Sequence, residues 1–295
     1  MKKESFILAL ITTALWSGSY ILNKEAFHEG IGPLTLSGLR YLLASALLFL
    51  PGIGRGQRSS RALPLRKVIL LGILGYAAAQ GLQYIGQSHL TPTQSSLFLS
   101  AGNTSFVLLA DRFWLKENQG WGDLAGMMLM VIGITLYYMP FDSGAFSAVG
   151  MLFMLLSSLG YALNLNINRA LLKNTPVRPR LLAAKPMFFG SVVLLAAGLL
   201  LEELPVITGR LLLILIYLSG ISGALGFYLW TKSQSGLSAF ESSSINNLMM
   251  IEIALLDLLV YGRSFSFIQV LAILIVFISV LFIQLRKKRS LGERA

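Results

Sequence analysis

The 295-residue sequence contains no cysteine and only two histidines. Without thiols there is no disulfide framework, no thiol nucleophile and no Cys-based zinc or iron–sulfur site. His28 and His89 stand far apart, and neither belongs to a His-x-x-His or His-Glu-x-x-His pattern. The usual histidine metal motifs are therefore missing as well, and no cofactor is expected. Charge is also scarce. Asp, Glu, Lys and Arg make up 13% of the chain, about half of the ~25% found in soluble domains. Acidic residues are the scarcer sign: 13 Asp and Glu stand against 24 Lys and Arg, a net charge of +11. Apolar residues take up the difference, at 55% of the chain with a mean hydropathy of +0.71. This balance excludes a disordered chain and argues against a soluble globular enzyme.

A helix that crosses a bilayer needs about 20 mostly apolar residues, so ten of them would occupy roughly 200 and leave under about ten per connection. Apolar runs between breakers divide the chain into ten segments, roughly 5–23, 33–51, 67–87, 92–110, 121–139, 146–168, 181–201, 210–231, 239–261 and 264–285. The breakers are Gly32-Pro33, Pro51-Gly52, Thr91-Pro92, Pro140, Pro176 and Gly262. Met1-Lys2-Lys3 ahead of the apolar stretch Phe6 to Leu15 has the look of a signal peptide. No small-residue cleavage site follows, so the stretch is expected to be the first, uncleaved span.

Alternate connections differ sharply in basic residues. One side collects 20 of the 24 Lys and Arg, including Lys2, Lys3, Arg55 to Lys67, and Arg286 to Arg289. The other side holds Lys24, Arg210 and Arg263, while Arg40 lies within the second span. Loops rich in Lys and Arg stay cytoplasmic, so both termini are expected inside the cell membrane. The same placement accounts for the basic charge without nucleic acid.

The chain also echoes itself. Gly86 to Ser96 reads GQSHLTPTQSS and Ser233 to Ser243 reads SQSGLSAFESS, with five of eleven positions identical. Tyr20-x-x-Asn23 returns as Tyr161-x-x-Asn164, and Arg40 aligns with Lys185. Five spans separate each pair, so the two halves have opposite orientation. Such inverted repeats are a known plan of secondary transporters, with the substrate near the midplane where the repeats meet.

Several stretches carry a wider likeness. Leu15-Trp16-Ser17-Gly18 opens the first span, Pro33 precedes Arg40-Tyr41 in the second, and Leu90-Thr91-Pro92-Thr93 leads through the fourth to Leu115-Lys116-Glu117. Val131-Ile132-Gly133-Ile134 ends the Gly-rich fifth span. In this order the motifs resemble the EamA family of the drug/metabolite transporter superfamily, whose members are ten-span carriers. Two positions depart from the family pattern: Ala239 stands where a Pro is usual, and Arg263 or Ser264 where an acidic residue often ends the ninth span. The repeats and the resemblance together imply an all-α polytopic membrane protein. Its ten transmembrane helices would form two inverted five-helix repeats, residues 1–140 and 141–295. The resemblance further implies export of amino acids or other metabolites.

Polar side chains within a bilayer turn inward or pair. Those at helical spacing form stripes: Trp16, Tyr20 and Asn23; Tyr76, Gln80 and Gln83; Ser96, Ser100 and Asn103; Tyr161 and Asn164. Each stripe either lines a cavity or provides hydrogen bonds between packed helices. In the eighth span, Ser219, Ser222, Gly223 and Gly226 fit packing better. Trp230 at its end either joins a cavity or anchors at the interface. Three Gln on one stripe (Gln80, Gln83, Gln87) are more polarity than packing needs.

The charged residues within spans are fewer and costlier. Arg40 cannot shed its proton and must meet an anion, a dipole or water. Glu241 and Glu252 share one face of the ninth span, eleven residues apart. Glu252 has three possible roles: a proton-coupling carboxylate, a seat for a substrate ammonium, or a fixed partner of Arg40 or another cation. Asp257, nearer the outer surface, is expected to be solvated or paired with Arg263.

The expected protein is thus a secondary carrier in the cell (inner) membrane that exports a small metabolite by alternating access. Its partners would be the lipid bilayer and a small, zwitterionic or amphiphilic solute, with proton coupling and downhill facilitation both open. A non-transporting membrane partner or a lipid scramblase could use the same fold. No span carries a strong dimerisation motif, which leaves both monomer and homodimer open.

Overall fold

The structure, a computed structural model, describes residues 2–50, 64–114, 121–139, 147–174, 179–233 and 239–292. These residues form ten helical rods and, among them, no strand. In chain order they are α1 (Lys2–His28), α2 (Pro33–Phe49), α3 (Leu65–His89), α4 (Pro92–Trp114), α5 (Trp121–Tyr137), α6 (Ala148–Asn174) and α7 (Pro179–Leu201). Then come α8, which runs through Gly209–Ile216, Tyr217–Leu225 and Gly226–Ser233, followed by α9 (Ala239–Tyr261) and α10 (Phe267–Gly292).

Several helices outrun the apolar segments of the sequence. α1 continues to His28 because Glu25 and Glu29 find partners at its end: Arg210 pairs with both, at 3.3 Å from Glu29. α10 continues through Arg286-Lys287-Lys288-Arg289, since Lys and Arg are good helix formers. Gly262 ends α9 with φ 62°, a left-handed conformation that glycine adopts without strain.

α1, α3, the Ala183–Leu201 stretch of α7 and the Gly209–Trp230 stretch of α8 are long and apolar enough to cross a bilayer. Pro33–Phe49, Leu124–Tyr137, Ala148–Asn164 and Phe267–Ile283 are shorter apolar helices. Large aliphatic residues stand on the outside, with Val131 64% and Leu200 84% exposed. That surface suits lipid and would be costly in water.

α3 and α8 each widen into a π-helical turn, at Ile73–Ala78 and Tyr217–Leu225. Such turns recur at functional sites. A neighbouring helix caps each one. Trp16 Nε1 of α1 donates to the Ser222 carbonyl at 3.0 Å, and Ser157 Oγ of α6 donates to the Ala79 carbonyl at 2.6 Å.

The main contacts pair α2 with α7, α5 with α10, α4 with α9, α3 with α6 and α7, α8 with α1 and α2, α1 with α9, and α6 with α4. Shifting every helix number by five returns the same pairs. One apolar core lies among α1, α2, α3, α7 and α8, around Leu36, Tyr41, Met187 and Leu218. Another lies among α4, α5, α6, α9 and α10, around Leu97, Met154, Met250 and Val276. Each core draws on residues from before and after position 140, so the packing does not follow the boundary expected there from the sequence.

The start of α2 is held from α7. Pro33 occupies its first position, and the Glu202 carboxylate accepts from Leu34 N (2.8 Å), Thr35 N (2.8 Å) and Thr35 Oγ1 (2.7 Å). A carboxylate here satisfies helix-end donors and complements the positive end of the dipole. Glu202→Ala is expected to cost roughly 1–3 kcal/mol, because three donors lose a charged acceptor. A fall in the thermal midpoint of the purified protein would show it; an unchanged midpoint would mean that water caps the helix equally well.

Candidate functional site

Polar positions that lie three or four residues apart share a helix face, so the faces of seven helices can converge on one hollow. They line a partly open cavity of about 190 Å³. α1 supplies Trp16, Ser19, Tyr20 and Asn23; α2 supplies Arg40 and Tyr41; α3 supplies Ala79, Gln80, Gln83 and Tyr84. Across from them stand Leu99 and Asn103 of α4, Ser157 and Tyr161 of α6, Phe227 and Trp230 of α8, and Asn246 and Met249 of α9. α5, α7 and α10 contribute none of these residues.

A hydrogen-bond lattice sets most of the polar groups. Gln83 Nε2 donates to Tyr20 OH (3.1 Å), Tyr41 OH to Gln80 Oε1 (2.6 Å), and Asn23 Nδ2 to Gln87 Oε1 (2.8 Å). Among the fully buried side-chain atoms of these residues, Asn23 Oδ1, Asn103 Oδ1 and Arg40 Nε have no hydrogen-bond partner. An aromatic wall completes the site. The Trp16 ring packs 5.2 Å from Trp230 and 5.3 Å from Phe227, and Phe227 faces Tyr41 edge-on at 6.4 Å.

Arg40 is 5% exposed. Its Nη1 donates to Tyr84 OH and its Nη2 to Ser222 Oγ at 2.7 Å. The guanidinium lies 5.3 Å from the Tyr41 ring centre and 5.9 Å from that of Tyr84, within cation–π range. All these partners are neutral. Ser222 also meets Ser19 of α1, so the small-residue face of α8 works as packing, with Ser222 as a polar tie among α1, α2 and α8.

Glu252 is not among the residues that line the cavity. Ser17 Oγ donates to it at 2.7 Å and Thr13 Oγ1 at 3.1 Å. The pairing with Arg40 weighed from sequence is not what forms, because each residue meets hydroxyls on a nearer helix. Asp257 is fully buried rather than solvated. It lies 3.3 Å from Arg263 Nε and accepts from Thr93 N (3.2 Å) and Thr93 Oγ1 (2.7 Å) at the start of α4. The Glu241 side chain lies outside the described residues.

A model of the EamA-like transporter family matches this chain twice, over residues 4–139 and 148–285. The chain belongs to the EamA-like transporter family. It is therefore a membrane protein of a transporter family, as its apolar helices also indicate. It is 28% identical over 137 residues to an uncharacterized transporter of Archaeoglobus fulgidus, covering 46% of each chain. It is 30% identical over 134 residues to a probable terminal-alkyne amino-acid exporter of Streptantibioticus cattleyicolor, covering 45% of this chain and 44% of that one. The chain thus spans about half the length of these two relatives. The uncharacterized transporter YyaM of Bacillus subtilis matches over 95% of this chain and 94% of its own, at 22% identity. A solved crystal structure superposes with a TM-score of 0.70 over 98% of this chain and 99% of that one; at 15% identity it speaks for the fold alone.

In this EamA-like chain, Trp16, Tyr20, Asn23, Arg40, Gln80, Gln83, Asn103, Tyr161 and Trp230 all line the one cavity. Tyr76, Ser100 and Asn164 do not. Asn164 covers Gly75, where an added Cβ would stand 2.6 Å from its Nδ2. Tyr76 sits within the π-turn and packs edge-on against Tyr41 at 5.4 Å. On α4 the cavity face runs through Leu99 and Asn103, which turns Ser100 aside. Sequence reasoning missed Ser19, Tyr41, Ala79, Tyr84, Leu99, Ser157, Phe227, Asn246 and Met249. Ser19 and Ser157 were within reach, three residues after Trp16 and four before Tyr161. Tyr84 stands four after Gln80. Phe227 and Met249 look like ordinary core residues and carry no such signal.

Proposed function

We propose that the chain is a secondary carrier that exports a small metabolite, an amino acid or related amphiphilic compound, by alternating access. The observation that carries this is the cavity itself. Amides, hydroxyls, aromatic rings and one cation converge on a hollow built by seven helices, where a bilayer would supply no water to satisfy them. Rings offer apolar and cation–π surfaces, and amides orient the solute. The exporter name of the Streptantibioticus relative supports the direction and the solute class.

On this proposal the protein lies in the cell (inner) membrane with both termini cytoplasmic, as the one-sided Lys and Arg indicate. Residues 1–140 and 141–295 form inverted five-helix repeats. The double family match, the paired π-turns and the contact pattern that survives a shift by five support that plan. The moving bodies follow the two apolar cores rather than the sequence halves, with α1 and α6 running between them.

The test is counterflow in proteoliposomes. Uptake of a radiolabelled amino acid should be saturable and competed by the unlabelled compound. Lipid movement without solute flux would instead indicate a scramblase.

Glu252 is proposed to carry the coupling proton. It has two hydroxyl partners and, among the described residues, no cation within 4 Å. A lone intramembrane carboxylate suits proton relay. Glu252→Gln should abolish accumulation driven by a pH gradient, while counterflow, which needs no net proton movement, persists. Equal pH-driven accumulation by the variant would remove Glu252 from the coupling step.

A further inference from the structure

The two π-helical turns are gripped by side chains that occupy the same place in the internal repeat. Tyr20-x-x-Asn23 returns as Tyr161-x-x-Asn164, 141 residues on. At that same offset Trp16 corresponds to Ser157 and Ser19 to Gly160. Trp16 Nε1 donates to the Ser222 carbonyl in the α8 turn, and Ser157 Oγ to the Ala79 carbonyl at the end of the α3 turn. Ser19 meets the Ser222 hydroxyl, and a Cβ added at Gly160 would stand 3.2 Å from Ala79 N. Trp and Ser share little beyond a hydrogen-bond donor, so what the two halves have in common here is the donated bond. Each grip also crosses between the halves, from α1 to α8 and from α6 to α3.

Resting on the alternating-access reading above, we propose that Trp16 and Ser157 are matched positioning residues that set two hinges, the π-turns of α8 and α3, one for each face of the membrane. A π-turn is a helix carrying one residue too many. Its bonds reach one residue further back, as in Gly226 N to Ile221 O and Ala79 N to Leu74 O, and helices bend at such turns. The backbone can pass between the π and α registers without breaking the helix on either side, which gives each turn two discrete arrangements. In hydrocarbon no water receives a displaced carbonyl, so a donor from a neighbouring helix favours the register that presents the carbonyl to it.

The cavity touches both hinges. Trp16, Ser157 and Ala79 line it, and so do Gln83 just past the α3 turn and Phe227 and Trp230 just past the α8 turn. The Trp16 ring packs on the last two, so a movement of that wall reaches the Ser222 carbonyl through one side chain. Because the halves are inverted, the segments beyond the turns run to opposite faces. Ala79–His89 leads from the cavity to the outer face, and Gly226–Ser233 leads to the cytoplasmic face, where Lys232 pairs with Glu4. A bend at one turn therefore swings a wall toward one face only.

The test needs no known cargo. The chain has no cysteine, so Leu99→Cys places a single thiol in the cavity wall. This full-length parent is labelled with a membrane-impermeant maleimide in right-side-out and in inverted vesicles, and it should react from both faces. Ser157→Ala should alter the rate from the outer face by at least about tenfold and leave the cytoplasmic rate within about twofold, since a biased hinge holds its wall either shut or open. Ser157→Thr, which keeps the hydroxyl, should restore the outer rate. Trp16→Phe, which keeps a ring and loses the N–H, should alter the cytoplasmic rate alone. Deletion of Ile73 or of Ile221, exposed residues within the turns, returns each turn to the α register and should give the same selectivity for its own face. Where a deletion fails to fold, the substitutions decide, because they preserve helix length. Changes shared by both faces, or absent from both, would mean that the turns only serve packing; the hinge proposal is then overturned while the carrier reading stands. A parent that reacts from one face alone overturns both together.

Discussion

Gly190→Val should leave little folded protein. Gly190 of α7 meets Gly72 of α3 backbone to backbone: a Cβ added at Gly190 would stand 2.4 Å from the Gly72 carbonyl oxygen and 2.4 Å from Tyr76 Cβ. One added at Gly72 would stand 2.6 Å from the Pro186 carbonyl oxygen. No rotamer relieves a clash with backbone, so the helices must separate. Overpacking costs about 1–3 kcal/mol where side chains can shift, and this site belongs above that range. The harm would also reach the cavity, because Tyr76 packs on Tyr41 and Phe227, which line it. The contrast is Gly209→Ala at the start of α8, where nothing lies within 4 Å of an added Cβ. That change should be neutral or slightly stabilising, since alanine favours the helix by about 1 kcal/mol over glycine. Yield of monodisperse protein and thermal midpoint measure both. A wild-type midpoint for Gly190→Val would mean that α3 and α7 are not in backbone contact.

Asn103→Phe should have the opposite profile: an intact protein that does not transport. Asn103 lines the cavity, and its Oδ1 lacks a donor. Replacing a buried unsatisfied amide with a ring removes a polar penalty and adds apolar contact with Leu99, Met249 and the aromatic wall. The thermal midpoint should hold or rise. The ring also takes up room in a cavity of only about 190 Å³. Counterflow should fall by at least about tenfold, as expected when a solute loses its place and at least ~1.4 kcal/mol of binding. Undiminished flux with an unchanged midpoint would show that solute does not pass this hollow, and the carrier proposal would lose its site.

The two variants mark different levels of legibility. The stripe Trp16, Tyr20 and Asn23 was readable because a straight α-helix brings residues three and four apart onto one face. The same rule placed Gln80 with Gln83, and it found Asn103 and Tyr161. It failed at Tyr76 because the π-turn at Ile73–Ala78 changes the angular step, so Tyr76 and Gln80 do not share a face. Nothing in ILGYAA announces that turn locally; it forms where Asn164 packs over Gly75 and α7 packs against Gly72. Asn164 was misplaced because it packs over Gly75 of α3, a contact that spacing along its own helix does not announce. Phe227 and Met249 were invisible because an apolar side chain reads alike in a core and in a cavity wall. The charges show the limit most clearly. Arg40 and Glu252 stood out by their cost in an apolar span, yet their partners proved to be Tyr84 and Ser222 for one, Ser17 and Thr13 for the other.

Composition and periodicity within the chain were enough to establish a lipid-embedded helical protein and the polar face of most helices, while the likeness to the EamA family rested on motifs in a fixed order. Those properties depend on neighbours one or two turns away and on the aversion of charge to hydrocarbon. Which faces meet, how closely α3 approaches α7, and whether Arg40 finds an acid are matters of contact between residues tens to hundreds of positions apart. Close packing of specific shapes settles them, and a linear pattern carries no measure of it.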